Sequence, residues 1–338
     1  MISVLPWALA IVACLTHGRL ALRLPPAAAS RLVVALSMTL AVAGAVGLSL
    51  LALDGLLGTQ HFDNLTHLLP ASARHAQTAG PLMTSLALLL LSAQLAMTTT
   101  AAWQEARKLR EASRMIRHLG TRQRYVVVDS PSAEAFAIPG RPARVIISTG
   151  LLTVLGEREC QAMLAHEESH LTHRHHRYRA TLRVSTAALP LLWPLRRTLD
   201  FLLERWADED AAQAVGSRRI MARAIATSAL AAPSEPSLNP PGLGLALKGA
   251  EREGVVPRRV RALLAPSPAR RPFHIALPLT LIAGAFLADA LTAHSVDHLI
   301  ETTTATTPAD QGRMLVPNVD EELPTWSSRA AFPPRGTP

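Results

Sequence analysis

Long stretches without a charged residue constrain this chain more than any other feature. Two of them, residues 32–53 and 81–103, reach the length of about 20 apolar residues that a membrane-spanning helix needs. Two shorter ones, 2–16 and 272–288, lie near the lower limit of that length. Only 17% of the residues are charged, against about 25% in ordinary soluble domains. The pattern predicts a mainly α, polytopic helical membrane protein with about four spans.

The positions of the basic residues predict how these spans are oriented. No Lys or Arg precedes the first apolar stretch, whereas a cleaved signal peptide carries positive charge there. Several basic residues instead follow the first and third stretches (Arg19, Arg23, Arg31; Arg107, Lys108, Arg110, Arg114, Arg117, Arg122, Arg124). Cytoplasmic loops carry an excess of Lys and Arg. Scarce lysine beside abundant arginine, alanine and leucine is typical of a high-GC bacterium. We therefore expect a multi-pass protein of the bacterial cytoplasmic membrane with both termini outside and the region after residue 103 in the cytoplasm.

This orientation also accounts for the high isoelectric point of about 10.9. The basic run after residue 104 lacks the interleaved aromatic side chains on which nucleic-acid bases stack, and it directly follows an apolar stretch. We expect no nucleic-acid partner. The two cysteines, Cys14 and Cys160, fall in the first span and in the cytoplasmic region, so no disulfide is expected.

The chain divides into four predicted regions, which are three spans with short loops over 1–103, a cytoplasmic domain over 104–271, a fourth span over 272–293 and a short disordered outer tail over 294–338. In the cytoplasmic domain the hydrophobic periodicity and the Pro/Gly punctuation predict five elements. These are a basic amphipathic helix over 104–119, strands at 124–129 and Arg144–Ser148, and helices from Glu157 and over 195–215. A Pro-, Gly- and Ser-rich stretch, 231–249, predicts a mobile loop.

The stretch HEESH at residues 166–170 carries the chemistry of the cytoplasmic domain. On a helix, His166 and His170 project from the same face one turn apart, where two imidazoles can chelate one zinc ion. Glu167 lies about 100° around the helix from His166, within reach of a metal-bound water but not placed as a ligand. Zinc lowers the pKa of its bound water, and a carboxylate can take the proton and deliver it to the leaving amine. The motif predicts metal-assisted hydrolysis.

Spacing alone leaves the third metal ligand open. The order His166, His170, His176 matches H-E-x-x-H-x-x-G-x-x-H, except that His173 stands where that pattern has glycine. A histidine there makes the required sharp turn costly. If the helix continues instead, His176 lies about 9 Å along the axis from His170, too far to share a zinc ion. His173, His175 and His176 would then form a polar helix end near the membrane surface, solvated or capping carbonyl groups.

A carboxylate is the other candidate for the third ligand. In ERWAD, Glu204 and Asp208 stand four residues apart on a predicted helix and therefore share a face. Glu204 can then bind zinc while Asp208 accepts the free ring N–H of a ligand histidine. A long apolar stretch precedes the pair, which disfavours a merely solvated helix face. On spacing alone, three nearby acids remain substitutes (Asp200, Glu209, Asp210).

The order of these motifs resembles that of a known group of membrane enzymes. Three spans and a basic exit precede AFAIPG, VIISTGLL, ECQAMLAHEESH, ERWADEDAA, RVRALL and a last apolar stretch. The layout resembles the membrane zinc metallopeptidases related to the beta-lactam-sensing antirepressor signal transducers. It is more distantly similar to the heat-shock membrane proteases and the CAAX prenyl endopeptidases. The resemblance covers most of residues 1–291, and its specific motifs lie within residues 135–264.

The resemblance implies a small α+β domain of the gluzincin metallopeptidase type within residues 104–271, with one Zn²⁺ per chain. It implies three metal ligands, a general base and a carboxylate partner for a ligand histidine (His166, His170 and Glu204; Glu167; Asp208). The R-[IV]-x-x-L element of the prenyl endopeptidases corresponds to residues 259–263 here, so Arg259 would polarise the substrate carbonyl.

The same resemblance implies the partners. We expect a peptide or protein substrate, such as a repressor or a membrane-associated protein cleaved in regulatory signalling, and the lipid bilayer itself. The tail over 294–338 contains no S-x-x-K motif. Direct beta-lactam sensing by this chain is therefore not expected.

Residues 184–195 decide whether this set of ligands can assemble. If this apolar segment crossed the bilayer, Glu204 would lie on the opposite side from His166. At about 12 residues with two prolines it is too short to span, so we expect it to dip into the membrane or pack against it. An extended substrate commonly pairs with an exposed strand beside such a site, and Arg144–Ser148 is the predicted edge.

A protein of a different class fits the same sequence. It would be a catalytically silent membrane scaffold or sensor in which HEESH holds a structural zinc ion or none. Glu167 separates the two classes, because a structural site closed by four protein ligands needs no base, whereas a catalytic site needs both the base and an open position on the metal.

Overall fold

The structure is a computed structural model that describes residues 7–12, 14–15, 24–57, 80–118, 123–231 and 254–266. Its helices are α1 (Pro26–Leu57), α2 (Pro81–His118), α3 (Thr149–Val154), α4 (Glu157–Thr172), α5 (His175–Ala188), α6 (Leu195–Ala214), α7 (Arg218–Ala231) and α8 (Val255–Leu264). A 3-10 turn, Pro190–Leu192, links α5 to α6, and one sheet contains β1 (Tyr125–Val128), β2 (Ala135–Ile138) and β3 (Arg144–Ser148). The described chain is mostly helical with a small sheet, as the sequence predicted.

Helices α1 and α2 are each long and apolar enough to cross a membrane. Residues 7–12 and 14–15 of the first predicted span are helical. The predicted fourth span at 272–293 and the predicted tail at 294–338 lie outside the described residues. Nearly all of the predicted loop at 231–249 lies outside them too. Helix α2 does not end where the predicted span ends. It continues to His118, because no Pro or Gly lies between Pro81 and His118. The basic helix predicted over 104–119 is therefore a continuation of the predicted span.

The sheet has the order β1-β3-β2, with β3 in the middle. Strand β3 pairs in parallel with β1, with Tyr125 opposite Val145, and antiparallel with β2, with Ala135 opposite Ile147. All five residues of β3 are buried. The prediction that Arg144–Ser148 is an exposed edge is therefore wrong. Strand β2 was not predicted, because the short segment AFAI lacks the alternation of a half-buried strand, and it covers that side of β3.

Helix α4, which carries HEESH, packs against both the sheet and α6. Its first turn is fixed by the Glu159 carboxylate, which accepts a hydrogen bond from the Gly156 backbone N–H at 3.1 Å. Ala162 of α4 and Ala211 of α6 are fully buried in one cluster, where their small side chains let the two helices approach. The face of α6 that bears Glu204 and Asp208 is thereby brought against the face of α4 that bears the histidines.

The chain turns between α4 and α5 within two residues. Helix α4 ends at Thr172, Arg174 adopts a left-handed conformation with φ 54°, and α5 begins at His175. A non-glycine residue pays a steric cost in this conformation, and the arginine at this position gives no sequence signal for it. Neither a continued helix nor a helix end shared by all three later histidines is formed.

The α5–α6 hairpin, meaning α5, the 3-10 turn and α6, packs against α1. Leu192 and Leu195 at the turn and Leu199 on α6 are buried in one cluster with Leu36 and Leu40 of α1. The two α1 residues belong to its charge-free stretch, 32–53. Residues 184–195 thus form the end of α5, the turn and the start of α6 beside the apolar part of a candidate span.

Candidate metal centre

Three side chains with metal-binding atoms converge between α4 and α6. One ligand atom from each of His166, His170 and Glu204 lies within 4.8 Å of the other two, and all three residues are buried. The two Nε2 atoms are 3.2 Å apart. The Glu204 carboxylate oxygens lie 3.4 Å from Nε2 of His166 and 3.6 Å from Nε2 of His170. Of the alternatives left open by spacing, the structure brings together the carboxylate set.

This donor set fits a zinc ion. Tetrahedral zinc with bonds of about 2.0–2.1 Å holds its ligand atoms about 3.3 Å apart, close to the separations between the two imidazoles and the carboxylate. Two imidazoles and one carboxylate are also the protein ligands of many catalytic zinc sites, which keep a fourth position for water or substrate. Within the described residues, His176 is not part of the metal-binding group.

Asp208 and Arg259 support the His166 side of the group. Nδ1 of His166 lies 3.0 Å from Oδ1 of Asp208, which leaves Nε2 facing the metal position. Arg259 of α8 donates two hydrogen bonds to the Asp208 carboxylate, at 2.9 and 2.6 Å, and its Nη1 lies 3.2 Å from Oε2 of Glu204. Burial alone would raise the pKa of Glu204, but Arg259 and the histidines hold it well below its usual range. Both carboxylates are thus kept ionised in a buried setting.

His175 supports the His170 side, and the sequence interpretation missed it. Its Nδ1 lies 2.7 Å from Nδ1 of His170, so the His170 Nδ1–H is held by an imidazole acceptor and its Nε2 points to the metal position. His175 is fully buried, with its ring 4.9 Å from that of Trp206. It was predicted to lie, with His173 and His176, on a polar helix end near the membrane surface. Only the turn at Arg174 brings the two rings together.

Arg179 of α5 is a second group that the sequence did not reveal. It donates hydrogen bonds at 2.9 Å to both Asp200 and Glu204, through Nε and Nη2 respectively. Glu204 therefore contacts one guanidinium from α5 and another from α8. The pKa of Arg179 is raised, because Glu204 and Asp200 outweigh the effect of burial. No periodicity of α5 marks this arginine, since its partners belong to another helix.

Glu167 lies at the centre of the fold, with none of its surface exposed. Burial raises the pKa of its carboxyl to about 7; His166 opposes the shift and Glu204 adds to it. The next residue, Glu168, points elsewhere and contacts Arg124 and the Tyr125 hydroxyl beside β1. The two adjacent glutamates of HEESH therefore occupy different environments.

The remaining candidate acids and histidines have other partners. Asp200 contacts Arg179, Glu209 contacts Arg218, and Asp210 accepts a hydrogen bond from Ser169 at 2.6 Å. Nε2 of His173 lies 3.0 Å from the same Asp210 carboxylate. None of these acids belongs to the metal-binding group among the described residues.

Comparison with known proteins adds an independent line of evidence. Residues 98–196 match the model of peptidase family M48. Proteins named Protease HtpX homolog from Burkholderia thailandensis, Burkholderia mallei and Paraburkholderia phytofirmans are each 41% identical to this chain over 68 residues. Each match covers 18% of this chain and 24% of the relative, so the chain spans about a quarter of the length of these curated relatives. A comparison with solved structures finds no match.

These similarities relate part of the chain to one class of protein. The M48 match indicates a protease, and together with the HtpX names it supports a membrane zinc metallopeptidase family for this chain. The similarity is confined to a short stretch at modest identity. The residues matched by the family model, 98–196, include α4 with HEESH and end before Glu204, which lies on α6.

Proposed function

We propose that this chain is an integral membrane zinc-dependent metalloendopeptidase that hydrolyses peptide bonds of a protein substrate on the cytoplasmic side of a bacterial membrane. The observation that carries the proposal is the convergence of His166, His170 and Glu204 at separations suited to zinc, with Glu167 on the same helix. A zinc ion held there would supply a Lewis acid that polarises the peptide carbonyl and lowers the pKa of water.

The chain's own residues then divide the remaining work. Glu167 takes a proton from the attacking water and returns it to the leaving amine. A carboxyl whose pKa is raised to about 7 by burial is suited to both steps, because it can hold and release a proton near neutral pH. Its placement one residue after His166 keeps it beside the metal group.

Arg259 acts in this proposal through the two carboxylates that it contacts. Its guanidinium is engaged by Asp208 and Glu204 at hydrogen-bonding and ion-pair distances. This supports a positioning role for Arg259, which differs from the contact with the substrate carbonyl that the resemblance implied. Asp208 orients His166, and His175 orients His170, so each ligand ring has one fixed partner.

The substrate main chain is proposed to pair with the outer edge of β2, which ends the sheet and whose four residues are buried in this structure. The Ser148 N–H donates to the Glu134 carbonyl at 2.9 Å, and hydrogen-bonded pairs alternate along an antiparallel ladder. Ala135 and Ala137 therefore direct their main-chain groups away from β3. The Ala137 N–H faces the Glu167 carboxylate, so this edge lies beside the proposed base. Main-chain pairing tolerates many sequences.

The location and the partners complete the proposal. Helices α1 and α2 support a membrane protein, and the arginine distribution favours both termini outside and a cytoplasmic metallopeptidase domain over 104–271. We infer a repressor or a membrane-associated protein as substrate and a role in regulatory signalling on the strength of the resemblance alone.

Zinc stoichiometry tests the proposed ligands directly. The full-length protein is purified in detergent, and its zinc content is measured by plasma mass spectrometry. We expect about one zinc per chain in the wild type and in His176→Ala, and near-background zinc in Glu204→Ala. Glu209→Ala on the same helix is the matched control and retains its zinc. Zinc lost with His176→Ala but kept in Glu204→Ala would overturn the ligand set, and no zinc in the wild type would return the chain to the scaffold class.

A further inference from the structure

A cavity of about 250 Å³ opens where α2, α5 and α6 meet. Five charged side chains line it, namely Arg179, Arg183, Arg196, Glu105 and Asp200. It lies outside the metal group but touches it through Arg179, which contacts Glu204. The peptidase mechanism uses none of the other four side chains.

The cavity lies where α2 leaves the apolar part of its sequence. The charge-free stretch 81–103 ends immediately before Gln104, which lines the cavity, as does Ala101 one turn earlier. Trp103 lies between them and is 56% exposed, and Trp193 at the turn of the α5–α6 hairpin is 60% exposed. Tryptophan is enriched at the interface between membrane and water. Trp103 and Trp193 are close in sequence to residues that line the cavity, so they indicate that the cavity lies at the depth of the lipid headgroups.

One guanidinium in the cavity, that of Arg196, forms no ion pair with a carboxylate among the described residues. Arg183 contacts Glu105 at 2.7 Å, and Arg179 contacts Asp200 at 2.9 Å. Arg196 instead donates to the Thr186 hydroxyl at 2.7 Å and the Arg183 carbonyl at 3.4 Å. Among the described residues, no carboxylate lies within ion-pair distance of Arg196. Burial and the neighbouring Arg183 lower the pKa of Arg196 despite the opposing charges of Asp200 and Glu105, so an added anion in contact with Arg196 would stabilise its charged form further.

We propose that this cavity binds the phosphate group of a membrane phospholipid headgroup. Arg196 and Arg183 contact the phosphate, since a planar guanidinium matches phosphate oxygens with two parallel hydrogen bonds. The acyl chains lie along Leu95 and Met97, two exposed apolar side chains of α2 that are within about 15 Å of Gln104 along the helix axis. The proposal goes beyond peptide hydrolysis and rests only on the membrane placement of α1 and α2.

Lipid binding by the full-length protein tests this site. The protein is delipidated in detergent and titrated with phosphatidylglycerol, and bound lipid is counted by native mass spectrometry. Arg196→Gln is the variant, and Arg197→Gln is the control, because Arg197 is its exposed neighbour and does not line the cavity. We expect a roughly tenfold weaker affinity for Arg196→Gln and no change for Arg197→Gln, since a charge-assisted hydrogen bond is lost only in the first.

Two further arms identify the source of the phosphate. Diacylglycerol, which shares the acyl chains but lacks the phosphate, is expected not to bind in the Arg196-dependent manner. Inorganic phosphate at a concentration equal to that of the lipid is expected not to displace it. Displacement by inorganic phosphate, or equal lipid affinity of Arg196→Gln and Arg197→Gln, would overturn the proposal. Zinc content is measured on the same samples, so a failure of the lipid site and a failure of the metal site are told apart.

Discussion

The two ligand histidines sit in comparable positions but have different partners. His166 contacts a carboxylate, Asp208, which is itself held by Arg259. His170 contacts a neutral acceptor, the imidazole of His175, within an aromatic cluster that includes Trp206. A carboxylate partner makes a ligand ring more basic, whereas an imidazole partner orients it without adding charge. The site is therefore charged and ion-paired around His166 (the charged side), and neutral and aromatic around His170 (the neutral side). Arg179 of α5 stands outside this division, because it forms an ion pair with Glu204, which lies near both rings.

The largest effect is expected on the charged side. Arg259→Met leaves the Asp208 and Glu204 carboxylates buried without their shared cation, and breaking a buried ion pair in this way costs about 3–5 kcal/mol. We expect that loss in the free energy of unfolding of the metal-free protein, measured by denaturant titration with tryptophan fluorescence. Arg261→Met, two residues along α8 and exposed, is the control and should change the value by less than about 0.5 kcal/mol. Equally small losses of unfolding free energy in Arg259→Met and Arg261→Met would show that the buried ion pairs of Arg259 do not stabilise the charged side.

A smaller effect, on zinc affinity, compares the two sides directly. Loss of a partner of a ligand histidine typically weakens metal binding by about 10–100-fold. We expect Asp208→Asn to weaken zinc binding by roughly 100-fold, since the change also leaves Arg259 without its main partner. We expect His175→Ala to weaken zinc binding by about tenfold. His175→Gln, which keeps an acceptor for the His170 Nδ1–H, should recover part of the loss. Competition with a chromogenic chelator measures all three, and a His175→Ala affinity equal to the wild type would show that His175 only fills space.

The smallest effect is a difference in how zinc affinity depends on pH. Burial alone would lower the pKa of His166, but its hydrogen bonds to Asp208 and Glu204 raise it to about 9. The pKa of His170 is lowered well below its usual value by burial, so that ring is already neutral near pH 7. A protonated ring cannot bind metal, so zinc affinity should rise by about tenfold per pH unit from pH 7 and level off near pH 9.

Asp208→Asn sharpens this test. Because the variant removes the anionic partner of His166, its plateau should begin at a lower pH than in the wild type. His175→Ala leaves the environment of His166 intact and should keep the wild-type profile with a lower affinity throughout. A plateau that moves with His175→Ala and stays with Asp208→Asn would reverse the assignment of the two sides.

The sequence predicted the candidate ligands and Asp208, and it missed the two groups contributed by α5 for a physical reason. His166 and His170, and likewise Glu204 and Asp208, stand four residues apart on helices, where spacing alone places side chains on one face. His175 and Arg179 reach the site only because the chain turns at Arg174, in a left-handed conformation that arginine does not signal. Such residues depend on tertiary structure.

The sheet follows the same distinction. Strand Arg144–Ser148 was predicted correctly, because its three central residues are apolar and turn signals flank it. Its place in the middle was not, because the pairing of β3 with β2 depends on where the intervening turn leads the chain. The strand at the edge of the sheet beside Glu167 is therefore β2. The sequence contained no signal that β2, and not β3, would take this edge position.

If His166, His170 and Glu204 form a catalytic zinc site, replacing the proposed base Glu167 should abolish catalysis while the zinc stays bound. Glu167→Gln and Glu168→Gln are purified side by side, and the zinc content and the cleavage of an unfolded protein substrate such as casein are measured on the same samples. We expect about one zinc per chain in both variants, with cleavage abolished in Glu167→Gln and retained in Glu168→Gln. Full cleavage by Glu167→Gln, with zinc bound, would contradict it.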